Sequence, residues 1–395
     1  MEITERKTDY DVIIVGCGVA GIAAALSAAR AGAKTLVIES TFLAGGLATA
    51  GLVTYYLPLC DGNGTQLCYG IAEELLKLSV SCGADEPIPE EWLRAATKEE
   101  RSKRRYAARF NPYVFAVLAE KLLEENGADI LYGGTLSRVF KNKTGNKIEK
   151  IAVVTRTETL VFGAKTFIDC TGDAVLCDHS GEDTVLSGCG NVLAAWYYEV
   201  VEGEYRLKMK GSGDLAYSSP LAGEKTFRGL DPFELSETVR EARGVVLNDF
   251  LKNGKESAKH ALGATASIPQ VRMTRRLNGV SGVSVNDDKR FFEESVGTFG
   301  SWKERGRAYE LPISSFYGRK IKNLFAAGRC VSVADDGAWD DTRVIPVCAL
   351  TGKIAGVIAA LYEDTEEIDI KIIRKTLSER GLKMHLNECY SLKNE

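Results

Sequence analysis

The stretch Val12-Ile13-Ile14-Val15-Gly16-Cys17-Gly18-Val19-Ala20-Gly21 decides the fold of this chain. An apolar run that leads directly into G-x-G-x-x-G is typical of a buried parallel strand that turns sharply into a helix. In such a turn Gly16 permits the tight reversal, Gly18 lets the backbone approach a pyrophosphate, and Gly21 lets the helix pack close to the strand. The pattern therefore predicts a strand–turn–helix unit that can bind two linked phosphates.

The residues after this turn complete a dinucleotide-binding unit. Val19 and Ala20 begin an alanine-rich helix whose first N–H groups and partial positive charge would face the pyrophosphate. The segment 34–38 predicts a second strand, and Glu39, 23 residues after Gly16, stands at its end. A carboxylate at this position accepts hydrogen bonds from a ribose diol. Strand, glycines, helix, strand and acid in this order indicate a dinucleotide site.

Length and composition set broad limits. The chain has 395 residues, enough for two domains or for one nucleotide-binding domain interrupted by an insertion. Its composition, 45% hydrophobic and 26% charged, is that of a soluble globular protein. The net charge of −4 gives no support to a nucleic-acid partner.

The cysteines indicate a reducing compartment. There are ten of them, with no C-x-x-C pair and no regular spacing, so neither a metal site nor a disulfide framework is expected. The apolar segment 12–29 contains three glycines and follows mixed charges, so we interpret it as a buried βα unit rather than a signal peptide or a membrane span. We expect a cytoplasmic protein that does not associate with membranes.

Further along the chain, turn and helix signals alternate. A glycine-rich loop around Gly45 and Gly46 follows the second strand, and residues 65–110 look helical, with breaks at Pro87 and Pro89. Asn111 is a good N-cap for a helix that ends near residue 127.

Strand patterns dominate the next part of the chain. Runs at 135–140, 148–155 and 159–170 predict an antiparallel meander, and the last run leads into the turn Thr171-Gly172-Asp173. A strand at 324–329 that ends in glycine and a helix at 347–361 follow later. We therefore predict an α/β fold: a Rossmann-like dinucleotide-binding domain (1–185 and 319–365, parallel sheet plus meander), an inserted α+β substrate domain (186–318) and a C-terminal tail (366–395).

Four separated blocks of sequence together resemble a known family. They are the segment from Gly16 to Glu39 with its Gly45-Gly46 loop, the Asn111-Pro112 helix with the strand after it, the turn at 169–173, and the segments 323–329, 343–346 and 351–352. In this order, with a meander between the second and third, they resemble FAD-dependent oxidoreductases with the glutathione-reductase type of fold. The resemblance is greatest to the bacterial FAD-dependent oxidoreductase family, distantly related to fumarate reductase flavoproteins and to the tRNA-modifying GidA-like enzymes.

The resemblance implies FAD as the cofactor and assigns expected roles along the chain. Glu39 would hold the adenosine ribose, the backbone near Leu136 the adenine, and the helix that starts near Pro346 would direct its positive end at the flavin. Arg329 stands where many relatives have an acid that binds the ribityl chain, so Asp335 and Asp336 are alternative candidates for that role. The expected cofactor-binding residues are Gly16, Gly18, Val19, Ala20, Gly21, Glu39, Ser40, Gly45, Gly46, Leu47, Ala48, Thr49, Leu136, Cys170, Thr171, Gly172, Asp173, Gly328, Arg329, Asp336, Arg343, Ile345 and Pro346.

Three arginines are the candidates for catalysis. Arg272 and Arg275 belong to an Arg-x-x-Arg segment that tends to lie near the active site in the family, and a guanidinium binds a carboxylate with two parallel hydrogen bonds. The alternative is an exposed strand edge paired with acids from the 286–294 region. Arg343 either contacts substrate or reduced flavin, or forms a structural ion pair with Asp340 or Asp341.

The leading hypothesis is flavin-mediated hydride transfer on a small organic substrate, with a carboxylate as its expected anchor. No paired cysteines accompany Cys17 or Cys330, so thiol–disulfide chemistry is not expected. The alternatives are a flavin-dependent RNA-modifying enzyme of the GidA type and a non-catalytic dinucleotide-binding module. A small molecule is the expected partner; the sequence is compatible with a homo-oligomer and contains nothing that specifies one.

Overall fold

The computed structural model describes residues 3–5, 10–83, 90–94, 96–103, 107–212, 222–363 and 368–391. The strands are β1 (Ile3–Glu5), β2 (Tyr10–Val15), β3 (Thr35–Glu39), β4 (Tyr55–Tyr56), β5 (Ala108–Arg109), β6 (Ala128–Tyr132), β7 (Thr135–Lys141), β8 (Ile148–Val154), β9 (Thr159–Asp169), β10 (Thr184–Leu186), β11 (Ala194–Val201), β12 (Glu204–Gly211), β13 (His260–Thr265), β14 (Arg275–Leu277), β15 (Ser295–Gly300), β16 (Ala308–Pro312) and β17 (Leu324–Ala326). The helices are α1 (Val19–Arg30), α2 (Ile71–Val80), α3 (Lys98–Lys103), α4 (Pro112–Glu125), α5 (Val175–Ser180), α6 (Pro232–Lys252), α7 (Asp336–Thr342), α8 (Ile345–Leu361), α9 (Ile370–Glu379) and α10 (Leu386–Tyr390). Short 3₁₀ turns lie at Gly46–Ala48, Glu90–Trp92, Ile313–Ser315 and Gly328–Cys330.

A parallel sheet in the order β6-β3-β2-β9-β17 forms the centre of the molecule. The predicted strand–turn–helix–strand unit is present as β2, α1 and β3, with β3 one residue later than expected. Strands β2 and β3 are buried over most of their length, as expected for strands covered on both faces. The predicted α/β class is confirmed.

Strand β9 belongs to two sheets. Its first half pairs antiparallel with β8, with Val161 opposite Ala152, which completes the predicted meander β7-β8-β9. Its second half pairs parallel with β2 on one side and β17 on the other, with Phe167 beside Ile13 and Leu324. The meander is therefore rigidly attached to the parallel sheet.

The two faces of β2 supply two different cores. Val12 and Ile14 pack with α1 and α8, whereas Ile13 and Val15 pack with residues of the meander and α5. Since side chains alternate along a strand, the continuous apolar run of β2 covers both faces at once. Helix α8, apolar and buried from Ile345 to Ala359, forms the middle of the larger core.

A second sheet, β12-β11-β13, lies in the predicted insertion. One face of β11 packs against α6 through Tyr197 and Phe250, and the other packs toward Leu52 through Trp196. The segment before β14 is tied to the glycine-rich loop, since Gln270 Nε2 donates a hydrogen bond to the Gly51 carbonyl at 2.7 Å. The insertion thus faces the dinucleotide-binding unit.

Two regions differ from the sequence prediction. The described residues of 65–110 form two short helices, α2 and α3, together with the 3₁₀ turn at Glu90–Trp92 and strand β5. Pro87 and Pro89 lie outside the described residues. The segment predicted as a C-terminal tail contains α9 and α10, with Leu377 and Leu386 buried. Its many charges obscured an amphipathic pattern whose apolar face packs on the rest of the chain.

Within the described ranges, no single helix is both long enough and apolar enough to cross a membrane. Helices α7 and α8 pass a test of length and composition only when they are counted together, and they meet at an angle of 86°.

Helices α1 and α8 approach each other at backbone distance. A Cβ atom on Gly352 would lie 2.2 Å from the Ala20 carbonyl oxygen, and one on Gly356 would lie 2.3 Å from that of Ala24. Neither contact leaves room for a side chain. The two glycines therefore set the spacing between the helices.

We expect Gly352→Ala to destabilise the protein by about 1–3 kcal/mol, because the two helices must separate to accommodate the methyl group. Chemical denaturation followed by circular dichroism measures this loss. The matched control is Gly244→Ala on the exposed side of α6, where a Cβ meets nothing within 4 Å. That change should leave the free energy of unfolding at the wild-type value or raise it by up to about 1 kcal/mol. Equal free energies of unfolding for the two variants would contradict the close backbone contact between Gly352 and Ala20.

Candidate functional site

The turn after β2 is shaped by two glycines. Gly16 has φ +101°, and a Cβ there would lie 2.4 Å from the Cys170 carbonyl oxygen. A Cβ on Gly21 would lie 1.9 Å from the Gly16 carbonyl oxygen. Both positions therefore require glycine, one for the turn and one for the start of α1.

Gly18 differs from these two glycines. A Cβ there would meet nothing within 4 Å, and the residue lines an open cleft. It is the N-cap of α1, with no side chain that caps the helix, so the first N–H groups of α1 remain available to a ligand. An anion in the cleft would satisfy those groups.

The glycine-rich loop lies directly against this turn. The Gly45 N–H donates to the Cys17 carbonyl at 2.8 Å, and a Cβ on Gly46 would lie 3.1 Å from the Gly18 Cα. Gly45 has φ +104°. The two loops thus form one wall of the cleft from main-chain atoms alone.

Glu39 lines the same cleft at the end of β3. Its Oε2 accepts a hydrogen bond from the Cys17 N–H at 2.8 Å, and its Oε1 accepts from the N–H and hydroxyl of Thr41, each at 2.8 Å. Ser40 Oγ also donates to Oε1, at 3.3 Å. These bonds hold the carboxylate in place, and the second lone pair of Oε2 can accept a hydroxyl group of a ligand.

The opposite wall comes from the end of β17 and the start of α8. Gly328 has φ +65°, its N–H donates to Thr351 Oγ1 at 2.9 Å, and a Cβ there would lie 2.7 Å from the Ala20 Cβ. Ile345 at the N-terminus of α8 also lines the cleft. The positive ends of α1 and α8 therefore open into one cavity.

The cavity has a volume of about 370 Å³. The predicted residues that line it are Gly16, Gly18, Val19, Ala20, Glu39, Ser40, Gly45, Gly46, Leu47, Ala48, Leu136, Cys170, Thr171, Gly172, Asp173, Gly328, Arg329, Arg343 and Ile345. Gly21, Thr49, Pro346, Asp336, Arg272 and Arg275 do not line it. Gly21 shapes the turn behind the wall, and Thr49 Oγ1 donates to the Ala44 carbonyl at 2.6 Å and so braces the glycine-rich loop.

Several lining residues escaped the sequence analysis. They are Val15, Ile38, Thr41, Gly134, Thr135, Val175, Gly229, Leu235, Ile268, Pro269, Val271, Ala327 and Cys348. Thr41, Gly134 and Thr135 follow strands of the parallel sheet, so position at a strand end could have indicated them. Gly229, Leu235 and the 268–271 segment come from the insertion, where no motif pointed to them.

The two candidates for the ribityl chain prove to be otherwise engaged. Asp336 accepts hydrogen bonds from the N–H groups of Gly188 and Cys189 at 2.8 and 3.1 Å, outside the cleft. Asp335 caps α7 by accepting from the Ala338 N–H at 2.8 Å. Arg329 lines the cleft, but its Nη1 donates to the carbonyls of Val271 and Arg272 at 3.0 and 3.2 Å.

Arg343 brings a charge network to the cleft. Its guanidinium pairs with one oxygen of Asp340, and Lys303 pairs with the other oxygen. The predicted ion pair with Asp340 is present, and Arg343 also lines the cleft; contact with substrate or reduced flavin stays a prediction. Burial raises the pKa of the neighbouring Asp341 to about 6, although its carboxylate accepts a hydrogen bond from Ser301 Oγ at 3.0 Å.

Arg272 is a buried cation beside this network. The residue is 6% exposed, and its guanidinium lies 5.2 Å from the centre of the Trp196 ring. Burial, together with the charge of Arg343, lowers the pKa of Arg272 to about 9. The described residues provide its guanidinium with no hydrogen-bond acceptor.

Arg275 has a different setting. Its Nε donates to the Asp173 carbonyl at 3.0 Å, and its Nη1 pairs with Asp178 at 2.7 Å. It contacts the turn at 171–173, which lines the cleft, and its charge is neutralised. Among the described residues, no acid of the 286–294 region forms an ion pair with Arg272 or Arg275.

The cysteines near the cleft are unreactive thiols. Cys17 and Cys170 are buried, and burial raises the pKa of both far above its usual range. All ten cysteines are free. Within the described ranges, no group of three or more His, Cys, Asp and Glu side chains could hold a metal ion.

We expect Gly18→Val to prevent retention of FAD, the cofactor implied by the sequence resemblance, while leaving the fold intact. A Cβ at this position meets no protein atom within 4 Å, and the valine side chain would occupy the cleft where the phosphates are expected. Purified protein should have a normal circular dichroism spectrum and no flavin absorbance. Gly244→Val is the matched control and should stay yellow. A Gly18→Val protein with a full complement of flavin would show that the phosphates of FAD do not lie beside Gly18.

Two known proteins are similar to a short part of this chain. A 72-residue segment is 39% identical to a thioredoxin reductase of Ureaplasma parvum, and a 79-residue segment is 43% identical to that of Treponema pallidum. The chain spans about a quarter of the length of these relatives, 23% and 24%.

Two solved structures align with most of the chain at low identity. A geranylgeranyl bacteriochlorophyll reductase-like protein of Thermoplasma acidophilum aligns over 99% of this chain and 89% of its own, with 16% identity and a TM-score of 0.49. A 3-ketosteroid dehydrogenase of Rhodococcus jostii aligns over 91% of this chain and 98% of its own, with 15% identity and a TM-score of 0.45.

The match to a family model is far more extensive. The model described as FAD dependent oxidoreductase matches residues 11–191 and 193–377, which include both walls of the cleft and the insertion. The chain therefore belongs to the FAD-dependent oxidoreductase family.

Proposed function

We propose that this enzyme transfers a hydride between FAD and a small organic substrate that carries a carboxylate group. FAD supplies the hydride chemistry when it is bound, and the protein supplies binding, orientation and electrostatics. The glycine cradle, the open helix N-termini and Glu39 fit the pyrophosphate and ribose of such a cofactor. The observation that carries the substrate proposal is the buried guanidinium of Arg272, which has no hydrogen-bond acceptor among the described residues.

A buried charge is costly unless a partner neutralises it. Arg272 lies among Trp196, Arg343 and Asp340, and the carboxylate of Asp340 is already shared by Arg343 and Lys303. The positive charge of Arg272 therefore lacks a dedicated counter-ion among the described residues. A substrate carboxylate would supply both the counter-charge and the acceptors for the two N–H groups of the guanidinium fork.

The surrounding residues support this orientation. Arg343 lines the cleft at the N-terminus of α8, where the helix dipole also favours negative charge. Trp196 covers one face of the Arg272 guanidinium and limits its contact with water. Arg272 does not itself line the cavity, but Val271 before it and Arg343 both do, so an anion bound by the two arginines would reach the cavity beside Arg343.

The other functions considered have weaker support. Membership of an oxidoreductase family removes the reason to consider a non-catalytic module. An RNA-modifying activity would call for a basic surface, whereas the net charge is −4. Ten free cysteines suit a reducing environment, so we place the reaction in the cytoplasm.

Arg272→Met should weaken carboxylate binding by about 2 kcal/mol or more, roughly 30-fold, because it removes a buried charged partner and keeps a similar volume. The measurement is anaerobic bleaching of the bound flavin by a panel of hydroxy acids, saturated and unsaturated acids, alcohols and amines. We expect bleaching only by compounds that carry a carboxylate. Arg272→Lys should restore part of the affinity, since it restores the charge without the fork.

Arg206→Met is the control, because Arg206 is exposed on β12 and paired with Glu204. It should match the wild type in flavin content and in bleaching. Reduction of the wild-type flavin by an uncharged alcohol or amine, with the same rate in Arg272→Met, would exclude the carboxylate proposal.

Binding should also depend on pH in a defined direction. Arg272 is cationic below its pKa of about 9 and neutral above it, so carboxylate affinity should be level near neutral pH and fall as the pH rises through 9. Dissociation constants from flavin difference spectra at successive pH values measure this fall. In Arg272→Met the same decline should be absent; an identical decline in that variant would assign the titration to another group.

A further inference from the structure

The insertion contributes to the wall of the cleft through an irregular segment. Residues 266–274 connect β13 to β14 without forming a helix or a strand. Ile268, Pro269 and Val271 of this segment line the cleft, whereas Gln270 between them does not. Because the segment has no ladder of its own, its position depends on individual hydrogen bonds to its neighbours.

The amide of Gln270 makes one hydrogen bond on each side of the segment. Its Oε1 accepts from the Trp196 N–H at 2.8 Å, and its Nε2 donates to the Gly51 carbonyl at 2.7 Å. Strand β13 pairs with β11 as far as Thr265 opposite Tyr197, so beyond that pair a side chain supplies the acceptor for β11. Gln270 thus joins the sheet of the insertion to the glycine-rich loop.

The Gly51 end of this link is fixed relative to the cleft. The Gly51 N–H donates to the carbonyl of Gly46, which lines the cleft, at 3.2 Å. A second hydrogen bond lies next to the link, since the Ser267 N–H donates to the Ala50 carbonyl at 2.9 Å. The loop on one side of the cleft and the segment on the other are therefore joined at two adjacent points.

We propose that Gln270 is a positioning residue for the flavin reaction. Its amide sets the distance between the glycine-rich loop and the 268–271 wall, and with it the width of the cleft that holds FAD. A primary amide can accept one of these bonds and donate the other, and it does so at any pH near neutrality. This role goes beyond the proposed function, because it does not depend on which substrate the enzyme uses.

The test compares Gln270→Met with Gln270→Glu. Methionine has a similar length and makes neither bond. A protonated glutamic acid accepts from Trp196 and donates to Gly51 as glutamine does, whereas the carboxylate has no donor and faces the Gly51 carbonyl oxygen. That oxygen and partial burial disfavour the charged form, so the pKa of the new carboxyl should lie above its ordinary value. The link should therefore be present at low pH and lost as the pH rises through that pKa.

Two quantities are measured between pH 5 and pH 8, each relative to the wild type at the same pH. The first is the dissociation constant of FAD, and the second is the visible circular dichroism of the flavin at saturating FAD, which depends on its orientation. Gln270→Met should bind FAD roughly tenfold more weakly at every pH. Gln270→Glu should match the wild type in both quantities near pH 5 and should bind FAD at least as weakly as Gln270→Met at pH 8.

Gln66→Glu is the matched control. Gln66 is also half-buried and donates through Nε2 to the Cys68 carbonyl at 3.0 Å, but it does not line the cleft. This variant should have wild-type FAD affinity and flavin dichroism at each pH.

Three results would overturn the proposal. They are wild-type FAD affinity in both Gln270 variants, a loss in Gln270→Glu that does not vary with pH, and an equal loss in Gln66→Glu, which would assign the effect to general destabilisation. If Gln270→Met fails to fold, the pH dependence of the near-isosteric Gln270→Glu decides alone.

Discussion

The close contact between α1 and α8 is the constraint on which the site depends. Both helices direct their N-termini into the same cleft. Gly352 brings the two backbones together at Ala20, which lines the cleft, and Gly356 does so at Ala24, one turn farther along α1. Gly328 continues the contact by resting on Ala20 at the mouth. Because Gly16, Gly21 and Ala20 share one turn, the spacing of the helices sets the width of the cradle for the phosphates. Small residues in this core therefore serve the site as much as they serve stability.

The charges around the cleft fit the same purpose. Two helix N-termini, Arg272 and Arg343 all make this end of the molecule attractive to anions. Arg272 has no dedicated counter-ion among the residues that the structure describes, and a buried cation in such a position costs free energy of folding unless a ligand pairs with it. Proteins tolerate such local conflicts where a ligand resolves them, and this is the physical reason for treating Arg272 as functional rather than structural.

The parts of this structure that the sequence predicted are those encoded by local patterns. The unit from Val12 to Glu39, the meander and the start of α4 at Asn111 each depend on residues that are neighbours in the chain. The roles of Asp336 and Arg275 depend on partners more than 70 residues away, and no spacing rule reveals such partners. Leu235 and Pro269 border the cleft only because α6 packs across β11. The C-terminal helices were missed because their buried face is narrow, with Leu377 the clearest member.

One segment of the insertion links cofactor and substrate geometry. Gln270 is bonded to the Gly51 carbonyl of the glycine-rich loop, and the carbonyls of Val271 and Arg272 accept from Arg329, the neighbour of Gly328. The backbone that carries Arg272 is thus fixed to both walls of the cleft. Hydride transfer requires each reacting atom to be held within about 0.5 Å of its productive position. A carboxylate bound by Arg272 would meet this requirement through hydrogen-bonded main chain, without depending on a flexible joint between cofactor and substrate domains.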